Sequence, residues 1–487
     1  MYVAFETLAA QTAPPAPPYD LCIVGAGAAG ISIAVTLAQR GHRILLCEGG
    51  GASYSERSQE IYRGEVVGDA YPALDGARLR YLGGSTNHWG GVCRPLDRHD
   101  FVAKPAAPET GWPITHDALA PYYAPAATLL DLTPPPSDSP LVGSGFERIH
   151  FSLGNPVRLK DKYAPALNAA PTLDYCLDAN LTGIEQEAGH VRSITLRSFA
   201  GQQCQVRARY FVLACGGIDN ARLLLWLNQQ TQGALIRDAT TLGRYWMEHP
   251  HASVGQALLF DPQAVGIDPE YNVFLSPTPT ALRQRGLLNC GLRLHRMSPE
   301  GTQQLIDTLS LTAPALGQQI AARHARGERM HGVILRAAWE QEPRFDNRVA
   351  LSEEHDEFGI PRSRLFWRQS ALDYHTIRDS LMLFGEYLID QDIGRLQLAD
   401  WLASPTVQFP VEGELAGRHH MGGTRMSHRA EQGIVNSDCR LFDQRNLYIA
   451  GSSVFPSVGH ANPTLTIVQL ALRLCDHLHA QLTPPAA

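Results

Sequence analysis

The stretch Tyr19-Asp-Leu-Cys-Ile-Val-Gly-Ala-Gly-Ala-Ala-Gly-Ile-Ser-Ile-Ala-Val-Thr-Leu-Ala-Gln-Arg40, with Arg43-Ile-Leu-Leu-Cys-Glu48 behind it, decides the fold. Tyr19 to Val24 reads as a short buried strand, Ile31 to Arg40 as a helix, and Arg43 to Cys47 as a second strand. Together they make a β-α-β unit of about 30 residues. The G-x-G-x-x-G at Gly25, Gly27 and Gly30 joins the first strand to the helix. In such a turn the first glycine permits the bend, the second lets the backbone approach a pyrophosphate, and the third lets helix pack on strand. Ala28 and Ala29 lie inside the same loop. The helix start offers unpaired N–H groups and a positive dipole end. Glu48 follows Gly30 by 18 residues, where an acid for a ribose hydroxyl is expected. The combination points to a dinucleotide. It does not separate FAD from NAD.

The run from Leu21 to Ala38 carries no charge and approaches the length of a membrane span. Its regularly spaced glycines favour a buried strand and a small-residue helix instead, so no membrane span is expected. No Lys or Arg precedes Arg40, so no secretory signal is expected. The 487 residues amount to about three domains on length alone. Apolar residues make up 44% and charged residues 18%, which is ordinary globular composition. A net charge of −7 argues against broad contact with a phosphate backbone, and no nucleic-acid partner is expected. The nine cysteines are odd in number, widely spaced and lack any C-x-x-C. Reduced, buried thiols and a cytoplasmic location are therefore expected, not a disulfide framework or a zinc site.

Along the chain, Pro14, Pro15, Pro17 and Pro18 form a stiff lead-in. Asp131 to Pro140 reads as a loop. Arg209 to Ala214 reads as a strand, Ala221 to Leu227 as a helix, and Asn446 to Ala450 as a strand. Thr464 to Leu482 reads as a terminal helix behind Pro463. Nucleotide-binding features thus sit at both ends. The expected cofactor domain is discontinuous, 17–250 and 410–482. A substrate domain occupies 251–409, with 95–155 contributing to it.

Five further segments carry a family resemblance. They are Leu82-Gly-Gly-Ser-Thr-Asn-His-Trp-Gly-Gly91, Leu242-Gly-Arg-Tyr-Trp-Met-Glu-His-Pro-His251, and Glu340-Gln-Glu-Pro with Asn347-Arg-Val. Near the end stand His420-Met-Gly-Gly-Thr-Arg-Met426 and Gly459-His-Ala-Asn-Pro-Thr-Leu-Thr466. In this order they resemble the glucose–methanol–choline (GMC) flavin oxidoreductases. The C-terminal pair is most like the branch with pyranose oxidase and bacterial sugar dehydrogenases. The resemblance implies an α/β fold (α+β overall): a Rossmann-like FAD-binding domain and an inserted substrate domain on an antiparallel sheet. It implies FAD contacts at Gly83, Gly84, Ser85, Asn87, His88 and Trp89. It adds Ala214 after the return strand, Gly451 and Ser452 beside the flavin, and Asn462, Pro463 and Thr464. In several relatives a His at the position of His88 bonds to the flavin 8α-methyl, while many relatives hold FAD non-covalently.

The implied reaction removes an alcohol's hydroxyl proton and passes a hydride to flavin N5. Charge must build on the oxygen before the C–H hydride leaves, so a base is needed. A second polar group must hold that oxygen. By resemblance His420 is the base and Asn462 the partner. His419 competes for the first role and His460 for the second. His249 and His251 flank a proline and are assigned no metal. Cys215 reads as buried filler. The implied substrate is a sugar, glycoside or polyol; the alternative is a hydrophobic or natural-product alcohol such as a sterol. Oxygen, a quinone or a carrier protein all remain open as electron acceptor.

Overall fold

The computed structural model describes residues 1–10, 19–267, 273–404, 406–410 and 417–483. The proline lead-in at 14–18 lies outside them. Tyr19–Val24 stands at the centre of a five-stranded sheet with every pair parallel. The order is Leu447–Ile449, Ala208–Leu213, Tyr19–Val24, Ile44–Cys47, Leu173–Cys176. Strands from both ends of the chain are therefore neighbours, as the motif placement implies.

Successive side chains of a strand point to opposite faces. Leu21, Ile23, Leu46 and Val212 meet the helix Ala28–Gln39 and the terminal helix Thr464–Leu482 on one face. Cys22, Val24, Leu45 and Leu213 face the helix Gly216–Gln230 and a three-stranded sheet on the other. Both faces are covered, which is why these strands are apolar throughout. The helix after the glycine turn starts at Ala28, so Ala28, Ala29 and Gly30 form its opening turn.

A second sheet has seven strands, all antiparallel: Gly394–Leu398, His251–Leu259, His331–Trp339, Cys290–Arg296, Val273–Pro277, Phe146–Ile149 and Ser139–Leu141. Its apolar face (Val254, Leu292, Val333, Leu335) packs on the helix Ala371–Asp390 through Ile377, Leu381 and Phe384. Two strands come from 139–149. Ser139 and Pro140, read above as loop, open the edge strand, where a missing N–H is tolerated.

The 251–409 stretch does not pack as one body. Its hairpin Arg348–His355 and Pro361–Trp367 pairs in parallel with Gly64–Gly68. Val349, Leu365 and Trp367 then pack on Ile218 and Ala221 of the Gly216–Gln230 helix, on the cofactor side. Alternating apolar residues mark a strand without naming its partner, so this pairing is invisible in the sequence.

Candidate active site

A cavity of about 500 Å³ runs along the mouth of the glycine turn. Gly25 has φ +103°, and a Cβ there would stand 2.5 Å from the Ala214 carbonyl oxygen. At Gly30 a Cβ would stand 1.8 Å from the Gly25 oxygen. These two positions bind strand and helix together. A Cβ on Gly27 would meet nothing within 4 Å, because Gly27 is cavity wall. Glu48 closes the turn from below: Oε2 accepts from Ala26 N–H (2.8 Å) and Oε1 from Gly50 N–H (3.0 Å).

The second glycine-rich loop lies over the first. A Cβ on Gly84 would stand 3.2 Å from the Gly27 Cα. Arg158 donates to the carbonyls of Thr86 (3.0 Å) and Trp89 (3.2 Å), and the Trp89 indole donates to Val157 (2.7 Å). The loop is held, and Ser85, His88 and Trp89 face the cavity. Ala214, Gly451, Ser452, Pro463 and Thr464 form the facing wall, beside Ala28, Ala29 and Glu48.

Three anticipated contacts stand behind that wall instead. Gly30 is buried in the helix start, and Gly83 (φ +93°) forms the loop entry. Asn87 folds back, its amide donating to the carbonyls of Leu82 and Gly84 at 2.9 Å each. Its N–H groups are thus spent within the loop, while its buried Oδ1 has no partner.

The reaction end is built by two segments paired edge to edge. Met247 and Met421 exchange N–H···O bonds of 2.8 and 3.0 Å, and Gly217 lets the second segment come close. A Cβ on Gly217 would lie 2.1 Å from the His420 carbonyl oxygen. Ser452 Oγ donates to that same oxygen at 2.5 Å. The His420 ring sits 5.8 Å from the Trp246 ring and 6.2 Å from that of Tyr71. It is buried, it lines the cavity, and its Nε2 has no hydrogen-bond partner. Burial, then the charges of Arg78 and Arg418, pull its pKa down to about 3. The ring is thus neutral at ordinary pH and can accept a proton. Asn462 lines the same cavity, anchored by its amide on the Val92 carbonyl at 2.8 Å.

The competitors are engaged elsewhere. His419 also reaches the cavity, but its Nδ1 lies 3.2 Å from Nδ1 of His249. His460 is buried away from the cavity, with Nε2 3.5 Å from Asp97 Oδ2. His249 is tied to the Val458 carbonyl at 3.1 Å. Among the described residues no group of three or more His, Cys, Asp or Glu side chains could hold a metal ion. The Cys215 thiol donates to the Val24 carbonyl at 3.4 Å, and burial pushes its pKa up, away from thiolate chemistry. His88 is shifted down by burial, then by Arg418 and Arg158.

Sequence reasoning missed two features of this wall. Arg78 and Asp219 form a buried ion pair on it, extended through Arg222 to Asp356 at 2.5 Å. Glu248, fully buried, joins the two reaction-end segments. Glu248 lies within the quoted segment Leu242–His251, which was the one signal that could have found it; the Arg78–Asp219 pair joins residues 141 apart and carries no spacing signal.

A family model described as FAD dependent oxidoreductase matches residues 20–347. One described as GMC oxidoreductase matches residues 343–471. The chain belongs to the GMC family of FAD-dependent oxidoreductases. It is 24% identical to 2-methyl-1,2-propanediol dehydrogenase of Mycolicibacterium austroafricanum, over 94% of this chain and 95% of that one. It is 25% identical to the fructose dehydrogenase large subunit of Gluconobacter japonicus over 56% of this chain, a match spanning about half (48%) of that relative. The fold is that of pyridoxine 4-oxidase from Mesorbium loti, with TM-score 0.57 and 16% identity over 95% of this chain and 99% of that one. The residues present fit FAD: an unfilled face at Gly27, a helix start whose Ala28 and Ala29 line the cavity, and His420 on the cavity wall with Nε2 unpartnered. No helix among the described residues is long and apolar enough to cross a membrane.

Proposed function

We propose that this GMC enzyme oxidises a hydroxyl group of a sugar, glycoside or polyol to a carbonyl, with His420 as base and Asn462 as its partner. The observation that carries the proposal is that His420, neutral and with a buried, unpartnered Nε2, lines the same cavity as Asn462. FAD, when bound, supplies the acceptor for the hydride of the substrate's C–H bond. His420 takes the hydroxyl proton at Nε2, so negative charge gathers on the substrate oxygen. Asn462 spends one amide N–H on the Val92 carbonyl, and its second N–H is the donor for the substrate oxygen as charge builds there. Tyr71 and Trp246 flank the histidine and keep bulk water from it. The buried Arg78 and the exposed Arg418 favour a polar substrate over a sterol.

His420→Ala should lower the limiting rate of flavin reduction by about 10²–10⁴-fold with FAD still bound. Anaerobic stopped-flow mixing with an alcohol panel measures this, and near-normal reduction would refute the base assignment. Admitting oxygen afterwards separates an oxidase from a dehydrogenase that needs a quinone or carrier protein. His88 lies on the cavity wall and is the residue for a covalent 8α-histidyl link. Acid precipitation should leave the yellow colour in the pellet; colour wholly in the supernatant excludes that link.

A further inference from the structure

We propose that Glu248 is a positioning residue for His420, acting through both the backbone and the ring wall around the base. The inference rests on the reading of His420 as base and deepens it.

Glu248 is completely buried, which is rare for a carboxylate unless it is bonded on every side. Its bonds account for that. Oε1 accepts from the backbone N–H of His249 at 2.9 Å and from that of His419 at 2.6 Å. Oε2 accepts the Tyr71 hydroxyl. The Glu248 N–H donates to Gln341 Oε1, which also takes the Trp367 indole N–H, each at 2.9 Å. One oxygen therefore pins two peptides, one on each segment of the Met247–Met421 pairing. The His419 N–H lies in the peptide that ends at the His419 Cα, so this bond anchors the backbone one residue before His420.

The other oxygen acts on the ring. Tyr71 packs on His420 (6.2 Å), on Trp246 (5.7 Å) and on Trp367 (5.2 Å). With its hydroxyl held by Glu248, Tyr71 cannot swing out of the wall. His420 has no side-chain hydrogen bond at Nε2 to orient it. Its aim is instead set by these backbone and aromatic constraints, all of which meet at Glu248. A shift of about 1 Å in a catalytic group can cost about 10²-fold in rate.

The test compares three variants as FAD-loaded full chains. Glu248→Leu keeps the volume but offers no acceptor. It should lower the limiting rate of flavin reduction about 100-fold while KM stays within about threefold. Glu248→Gln keeps an amide oxygen for both peptides and should recover the rate to within about fivefold of the parent. Tyr71→Phe loses only the ring anchor and should slow reduction by about 3–10-fold at unchanged KM. Flavin absorbance and FAD content report whether the cofactor is seated. If Glu248→Leu does not fold, the Gln and Phe variants decide. Wild-type reduction in Glu248→Leu or in Tyr71→Phe overturns the proposal, and so does a Gln variant slowed 100-fold. A fast His420→Ala overturns the base assignment itself. A dead His420→Ala beside a fast Glu248→Leu overturns only the positioning role.

Discussion

His420 and His460 are both buried histidines on the C-terminal segments, and they live in opposite surroundings. His420 looks into a cavity past aromatic rings. His460 looks into a nest of carboxylates. There Asn289 donates to Asp100 at 2.8 Å and Lys104 pairs with Glu340 at 2.9 Å. Burial pushes Asp97 up, but His460 and Arg94 outweigh it and hold it below the usual carboxylate range. Asp100 is pushed up to about 7 by burial and then by Asp97. Gly459 and Gly291 leave room for this nest: a Cβ would stand 2.4 Å from Asp100 Oδ2 or 2.7 Å from His460 Nδ1. Both leave a buried Nε2 without a hydrogen-bond partner, but that of His460 lies 3.5 Å from a carboxylate while His420 lies among aromatic rings on the cavity wall. The proposed base and the charged nest thus differ in what surrounds the same side chain.

The widest separation should appear in rate. His420→Ala loses orders of magnitude in flavin reduction, whereas His460→Gln should stay within about threefold under the same stopped-flow conditions. A His460→Gln enzyme as slow as His420→Ala would break the comparison. The next effect should appear in stability alone. Lys104→Met strands Glu340 as a buried, unpaired carboxylate, because both partners are fully enclosed. It should destabilise the fold by about 3–5 kcal/mol, read by chemical denaturation, with the reduction rate per bound flavin unchanged.

The smallest effect is on pH dependence. Burial, then Arg336, lowers the pKa of His251 to about 4, against 6.5 for an ordinary histidine. The unfolded chain therefore binds the extra proton first, and the His251 contribution is lost as pH falls from 6.5 towards 4. His251→Gln removes that loss, so its melting temperature relative to the parent should rise as pH is lowered from 7 to 5. A constant difference across that range would remove His251 from the acid response. Asp100 has the opposite sign: its raised pKa makes its contribution fade as pH rises towards 7.

Much of the cofactor side was legible because its constraints are local. Gly25 needs a positive φ, Gly30 a missing Cβ, and Gly27 an open approach, and each demand falls on a fixed offset in one short stretch. The resemblance of their segments singled out His420 and Asn462, and both line the cavity, although His419 and His460 were equal candidates by residue type. Asn87 shows the limit from the other side. It stands in the right loop, yet its amide is consumed within that loop. Glu248 and the Arg348–Trp367 hairpin were not legible, because each acts on partners far away in the chain.

The sequence by itself determined the β-α-β turn and the FAD-binding class, since these follow from backbone geometry and spacing over a few residues. Only the tertiary structure decided that His419 meets His249 while the His420 Nε2 is left unpartnered, and that Glu248 ties down the backbone beside them. Those outcomes depend on burial and on hydrogen bonds between residues 171 positions apart, such as Glu248 and His419. Desolvation and partner geometry exist only once the chain has folded.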